Sequence, residues 1–380
     1  MTLIFAERLL SPRGLVGPGW VTVEGASIAA WGEGSAWGDA CPQSAPDVTV
    51  DGILSPGFVD VHSHGGGGAN FGADPAQAAT VLDTHAAHGT TTMVASLVTG
   101  AVDDLEAQAR LLSTFVAEGR LAGIHLEGPW LAPSHKGAHP EDKLIDPKIE
   151  DIARLLDASG DTVRMVTMAP ELPGAAEAIR FLCGRGVTVA VGHTGADFAT
   201  AARAIDDGAR GATHLFNAMP EILHRDPGPA LALWRDSRVW LELICDGVHV
   251  DPHLIRHVMT TTPHRVVLVS DAMAAAGVAD GDYTLGELAV EVRQGVAHVA
   301  GTSTIAGSTL TLDRALRTAV AAGVDLTTAL RAVTSHPAAY MGLESVGSIE
   351  PGHDADLVCL TDDLHVSRVM RRGQWLSTSA

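Results

Sequence analysis

The sequence predicts an α/β fold: a (β/α)8 TIM-like barrel carrying a small β-sandwich domain built from both chain ends. Three observations lead there. Eight short apolar runs recur at roughly 30-residue spacing, and most are followed by an Ala-rich stretch of helical pattern, the rhythm of a barrel. Strand-like runs punctuated by glycine fill the first fifty-odd residues and return at the C-terminal end. A length of 380 residues suits one barrel with a small companion. The expected parts are 1–55 and 344–380 for the small domain and 56–343 for the barrel.

In chain order, WVTVEG, SIAAWG and DVTVDG supply the first strands of the small domain. The barrel runs are GFVDVHSH (57–64), TTMVASLV (91–98), LAGIHLEG (121–128), VRMVTMAP (163–170), VTVAVGH (187–193), GATHLF (211–216), VWLELICDG (239–247) and RVVLVSD (265–271). Helical stretches such as DPAQAATVLDTHAAH and GADFATAARAIDDG lie between them, each opening on an Asp or Gly region suited to an N-cap. A doubly wound open sheet is the structural alternative. It would place a Gly-rich phosphate loop after the first strand, but GGGG (65–68) lacks the GxGxxG spacing and follows two histidines.

Composition narrows the function. Hydrophobic residues make up 46%, enough for a core and too many for a disordered chain. Lys+Arg 25 against Asp+Glu 45 gives a net charge of −20, which argues against a nucleic-acid partner. No apolar run approaches the ~18 residues of a membrane span. The N-terminal MTLIFAERLL does not have the layout of a signal peptide. Cys41, Cys183, Cys245 and Cys359 are scattered without CxxC spacing, so neither a disulfide framework nor a thiolate zinc site is expected. A cytoplasmic enzyme fits these features.

In a barrel the chemistry sits at the C-terminal ends of the strands. The first run ends in His62-Ser63-His64, whose period-two spacing points both imidazoles to one side. Glu127 ends the third run, His193 the fifth, His214 the sixth and Asp271 the eighth. A lone histidine at a strand end is more often structural, and His125, one layer below Glu127, is expected to be a buried hydrogen-bonded one. Six such coincidences around one mouth instead describe a metal site with nitrogen and oxygen ligands. His85, His88, His253, His257 and His264 fall in helices or their flanks and are expected to face solvent.

The order of PGFVDVHSHGGGG, IHLEGPWL, KGAH, VGHTGAD, THLFNAMP, DGVHV, VSDAM and TSTIAGS along the chain resembles the N-acetylglucosamine-6-phosphate deacetylases of the amidohydrolase superfamily. The resemblance covers nearly the whole chain, and HLEGPWL with THLFNAMP is its most specific part. It implies a divalent metal held by Glu127, His193 and His214, and Asp271 as the catalytic acid–base group. Some members replace the HxH histidines with amides and hold one metal. Keeping His62 and His64 resembles members able to hold two, with zinc foremost and Fe, Mn, Co or Cd as alternatives.

The resemblance also implies His139 as a donor to the oxyanion, and Ala138, Asn217, Ala218, His249, Ile305, Ala306 and Gly307 as substrate contacts. Arg225 matches an arginine that grips the substrate phosphate from a neighbouring subunit, so a homodimer or higher homo-oligomer is implied. Independently, only Lys136, Lys143 and Lys148 occur, and VRMVTMAPE has none. That excludes the subtype bridging two metals with a carboxylated lysine. The expected reaction removes acetate from N-acetylglucosamine 6-phosphate. Open alternatives are the galacto epimer, an aminohydrolase of the same superfamily, and a metal-binding protein without catalysis.

Overall fold

The computed structural model describes residues 1–37, 45–72 and 74–377; Cys41 lies outside them. All eight apolar runs form strands, here β1 (Phe58–Ser63), β2 (Thr90–Val98), β3 (Gly123–Glu127), β4 (Val163–Met168), β5 (Thr188–Val191), β6 (Gly211–Ala212), β7 (Trp240–Ile244) and β8 (Val266–Val269). Each pairs in parallel with the next in sequence. The barrel closes through irregular backbone: Asp271 N–H donates to the His62 carbonyl at 2.8 Å, and Ser63 bridges Ala272 in parallel. Strands buried on both faces read as continuous apolar runs, which is why this sheet was visible in the sequence.

Helices cover the outside. In the first, Pro75–Ala87, the Asp74 side chain accepts from Ala76 N–H, and Asp197 caps Phe198–Asp207 by accepting from Thr200 N–H. Both segments thus start where their Asp predicts. The first helix corrects one expectation. His85 is fully buried rather than solvent-facing, because it continues the inward stripe of Ala78, Val81 and Leu82. Its Nε2–H donates to the Gly65 carbonyl at 2.9 Å, and a Cβ on Gly66 would come within 2.9 Å of the ring. The GGGG segment is therefore a close-packed turn over a histidine. His88 is half-buried, while His253, His257 and His264 are exposed.

The two chain ends meet in one eight-stranded sheet. Its order is Gln374–Trp375, Val366–Arg371, Leu357–Leu360, Val48–Pro56, Thr2–Ser11, Gly19–Glu24, Ser27–Glu33, with Gly14–Val16 also paired to Thr2–Ser11. Ile4, Val21, Leu54, Leu357 and Cys359 form a core of their own there. A further sheet lies outside the eight-run pattern. Three antiparallel strands, Gly281–Leu285, Leu288–Arg293 and Val296–Val299, interrupt the chain between β8 and its helix. Val290, Val292 and Ala297 pack there on Met273, Ala274 and Ala306. Among the described residues no helix is long and apolar enough to cross a membrane.

Candidate active site

The C-terminal ends of β1, β3, β5, β6 and β8 converge on a cavity of about 210 Å³. Several residues that reach it have left-handed backbone: φ is +48° at His193, +30° at His214, +50° at Ala218 and +46° at Asp271. Such conformations cost free energy in residues with a side chain and persist where packing imposes them. His193, His214 and Asp271 adopt them two residues past the ends of β5, β6 and β8, where the chain leaves the strand.

In the cavity the Nε2 atoms of His193 and His214 lie 3.0 Å apart, and 3.2 and 3.1 Å from Glu127 Oε1. On the other side, Glu127 Oε2 is 3.0 Å from His64 Nε2. His62 Nε2 stands 3.2 Å from His64 Nε2 and 3.5 Å from both Glu127 Oε1 and Asp271 Oδ1. Asp271 Oδ1 is 3.3 Å from His64 Nε2. Glu127 thus stands between two clusters of nitrogen atoms.

Hydrogen bonds fix which nitrogens are free. His193 Nδ1–H donates to the His135 carbonyl at 2.9 Å, and His64 Nδ1–H to the Ser96 carbonyl at 3.2 Å. Each ring is thereby fixed with Nε2 turned inward, the nitrogen a metal ion would meet. His139 is held by Thr99, whose Oγ1 lies 2.9 Å from its Nδ1 and whose N–H donates to that nitrogen at 3.4 Å, and its Nε2 faces Glu127 Oε2 at 3.5 Å. His125 is the expected structural histidine, fully buried and bonded to Ser96 Oγ at 2.9 Å and Thr167 Oγ1 at 2.8 Å.

These atoms fit a divalent cation. Tetrahedral zinc with bonds near 2.1 Å places its ligand atoms roughly 3.4 Å apart, close to the spacing around Glu127 Oε1. The charges agree. Burial raises the pKa of both Glu127 and Asp271, yet attraction to His62 and bonds from the other imidazoles outweigh it and hold both carboxylates below their usual range. Burial opposes protonation of His62 and His64 as well, but the two carboxylates pull both upward, His64 to about 9. Among the described residues no Lys or Arg pairs with Glu127 or Asp271. Two buried anions therefore draw positive charge into a cage of lone pairs.

Twelve of the fifteen residues expected at the site line the cavity: His64, Glu127, Ala138, His139, His193, His214, Asn217, Ala218, His249, Asp271, Ile305 and Gly307. His62 lies directly beneath, fully buried. Ala306 faces the core under the three-stranded sheet, and its N–H is given to the Ala297 carbonyl. Arg225 is exposed and does not line this chain's cavity. His249 is held by Asp246, whose Oδ2 accepts from Nδ1–H at 2.7 Å.

Sequence reasoning missed Thr99, His135, Leu285 and Glu242. Glu242 left a signal, a single acid inside the apolar run VWLELI; Leu285 belongs to the insertion that the barrel rhythm passes over. Thr99 and the His135 carbonyl left none, because side-chain type does not encode backbone acceptors.

A model of the amidohydrolase family matches residues 53–376. The N-acetylgalactosamine-6-phosphate deacetylase of Escherichia coli O157:H7 is 35% identical over 382 residues, 98% of either chain. Human N-acetylglucosamine-6-phosphate deacetylase is 38% identical over 350 residues, covering 86% of this chain and 85% of its own. The crystal structure of N-acetyl-D-glucosamine-6-phosphate deacetylase from Mycobacterium smegmatis is similar with a TM-score of 0.95 and 46% identity, over 99% of this chain and 100% of that one.

Proposed function

From the premise that this chain belongs to the amidohydrolase family, we infer that it hydrolyses the acetamide of N-acetyl-D-glucosamine 6-phosphate to D-glucosamine 6-phosphate and acetate, a step of amino-sugar breakdown. The observation that carries this reading is the cage of Glu127, His193 and His214 with Asp271 at its edge, in a cavity of about 210 Å³. Glu127, His193 and His214 would hold a first divalent ion, zinc foremost; His62, His64 and Glu127 would hold a second. Such an ion supplies Lewis acidity, polarising the acetamide carbonyl and lowering the pKa of water toward about 7.

The protein's own groups do the rest. Asp271, ionised at the cavity wall, accepts a proton from the attacking water and returns it to the amine nitrogen, which cannot leave as an anion. His139, when it carries a proton on Nε2, donates to the oxygen that becomes negative as the carbonyl turns tetrahedral. Asn217, His249 and the backbone around Ala138, Ala218, Ile305 and Gly307 surround the sugar.

The phosphate needs a cation in a chain of net charge −20. Among the described residues no Arg or Lys lines the cavity. That supports supply of Arg225 by a second copy, since this arginine makes no ion pair among the described residues and stands beside the exposed Ile222 and Leu223. We place the enzyme in the cytoplasm, where its phosphorylated substrate would be formed.

The test is a product assay on zinc-loaded protein. Acetate release in step with substrate loss is expected, and ammonia release would replace the deacetylase reading by an aminohydrolase one. The galacto epimer, run beside the gluco sugar, decides specificity, because the E. coli relative bears the galacto name. No release of either product would leave only a binding protein.

A further inference from the structure

We propose that Glu242, backed by Tyr340, is the positioning pair that makes His62 a metal ligand and so creates the second ion position; this rests on the two-ion reading above. Glu242 is fully buried on β7, and apolar neighbours precede and follow it in the strand. Its Oε2 accepts His62 Nδ1–H at 3.0 Å and the backbone N–H of His214 at 3.4 Å. Its Oε1 accepts the Tyr340 hydroxyl at 3.2 Å. Among the described residues no Lys or Arg pairs with it. A buried carboxylate with no cation of its own is costly, and its strongest partner is an imidazole of the site.

Tyr340 reaches this carboxylate from the helix Ser335–Tyr340. Space for its hydroxyl exists because β6 begins with glycine: a Cβ on Gly211 would lie 1.8 Å from that oxygen. The fold thus leaves a slot whose content is one hydroxyl aimed at Glu242.

The consequence for His62 is chemical. In the neutral form that accepts a metal ion, with Nδ1–H spent on Glu242, its Nε2 presents a lone pair 3.2 Å from His64 Nε2, which is then bare for the same reason. Two acceptor nitrogens at that distance cannot hydrogen-bond each other, and a cation between them satisfies both. His64 leans on a carbonyl, whereas His62 leans on a carboxylate, which raises ligand basicity further. The bond from Glu242 to His214 N–H ties His62 to the strand end that carries the first position. Glu242 is therefore the group through which the two positions are held in register.

The test is titration of chelator-stripped protein with Zn²⁺ against a chromophoric competitor, reading stoichiometry and affinity for the parent, Glu242→Gln and Tyr340→Phe. Glutamine keeps the size and one acceptor oxygen but loses the charge. Glu242→Gln is expected to bind the first ion as the parent does and the second roughly 10- to 100-fold more weakly, with a smaller loss in the same direction for Tyr340→Phe. In a His62→Asn background, Glu242→Gln should change nothing further. A Glu242 that only fills the core would lower the thermal midpoint and leave second-ion affinity at the parental value; that result overturns the proposal, as does equal weakening of both ions. Should Glu242→Gln fail to fold, Tyr340→Phe decides, and parental second-ion affinity in that variant is fatal. A parent that binds one ion only refutes the two-ion reading and this proposal together. Two ions bound by the parent and by both variants alike refutes the proposal alone.

Discussion

Four of the five histidines gathered around Glu127 have one ring nitrogen committed to a partner before any ligand is considered: His62 to Glu242, His64 to the Ser96 carbonyl, His193 to the His135 carbonyl and His139 to Thr99. His214 is the exception, since its buried Nδ1 has no hydrogen-bond partner among the described residues. Its direction is set by left-handed backbone and by the edge-on packing of its ring against His193, 4.8 Å between centroids. On the proposed reading, loss of one of these side chains should cost the ion. His193→Ala and His214→Ala should each lose tightly bound metal together with activity, while His62→Ala keeps the first ion. Metal analysis showing parental content in His214→Ala would remove it from the ligand set. Asp271 is tested by Asp271→Asn, which keeps the size and one side-chain oxygen. Groups that move protons contribute roughly 10²–10⁴-fold, and one that serves both transfers belongs at the upper end. The loss should fall in kcat with KM little changed. Retention of more than about a tenth of parental kcat would assign the proton transfer elsewhere.

The elements are joined as deliberately as the residues. The first and last barrel helices, Pro75–Ala87 and Leu312–Ala321, meet at Asp313, which is buried in the first turn of the latter. It accepts from Thr311 Oγ1 at 2.6 Å and Arg317 Nη1 at 2.9 Å, and faces His88 Nδ1 at 3.3 Å from the end of the first helix. Burial would raise its pKa, but these bonds outweigh burial and hold it far below the ordinary carboxylate range. A depressed folded-state pKa gives stability that is complete above the unfolded value near 3.9 and is lost as pH falls through the folded one. Asp313→Asn should therefore cost about 1.5–3 kcal/mol at neutral pH, and the gap to the parent should narrow only below about pH 4. Urea titrations at several pH values measure it; a gap already closed at pH 5 would contradict the assignment. Elements that repeat a pattern were legible in the sequence. Eight apolar runs gave eight strands, and the Asp before each of two helices marked its start. The three-stranded insertion broke the rhythm and was passed over, although its alternation in LAVEVR is that of a half-buried strand. His85 was misplaced for the opposite reason: a polar residue on a helix was taken as outward, when its spacing from Ala78 and Val81 placed it on the buried stripe. Strand ends revealed the proposed ligands because identity and position coincide there. The partners that orient them come from other elements, often as backbone carbonyls, and one-dimensional spacing carries no trace of those.

At the scale of the molecule the decisive quantity is charge. A phosphorylated sugar must enter a chain of net charge −20 whose cavity, among the described residues, offers histidines but no guanidinium or ammonium group. If Arg225 of one copy completes the site of another, the monomer is an incomplete enzyme and the working form is at least a dimer. Arginine binds phosphate through paired charge-assisted hydrogen bonds, and losing a bond to a charged group costs about 1.5–3 kcal/mol. Arg225→Ala should then lower kcat/KM for the phosphorylated sugar by roughly 10- to 150-fold and barely affect unphosphorylated N-acetylglucosamine. Size-exclusion chromatography with light scattering, at assay concentration, reads the assembly; a fully active monomer would end the idea. Complementation tests the geometry directly. Asp271→Asn and Arg225→Ala are each expected to be impaired, and a mixed dimer places both defects in one site and neither in the other. Free exchange of equal amounts makes half the dimers mixed, so activity should return to about a quarter of the parental value. An arginine acting within its own chain leaves one defect in every site, and mixing then restores nothing.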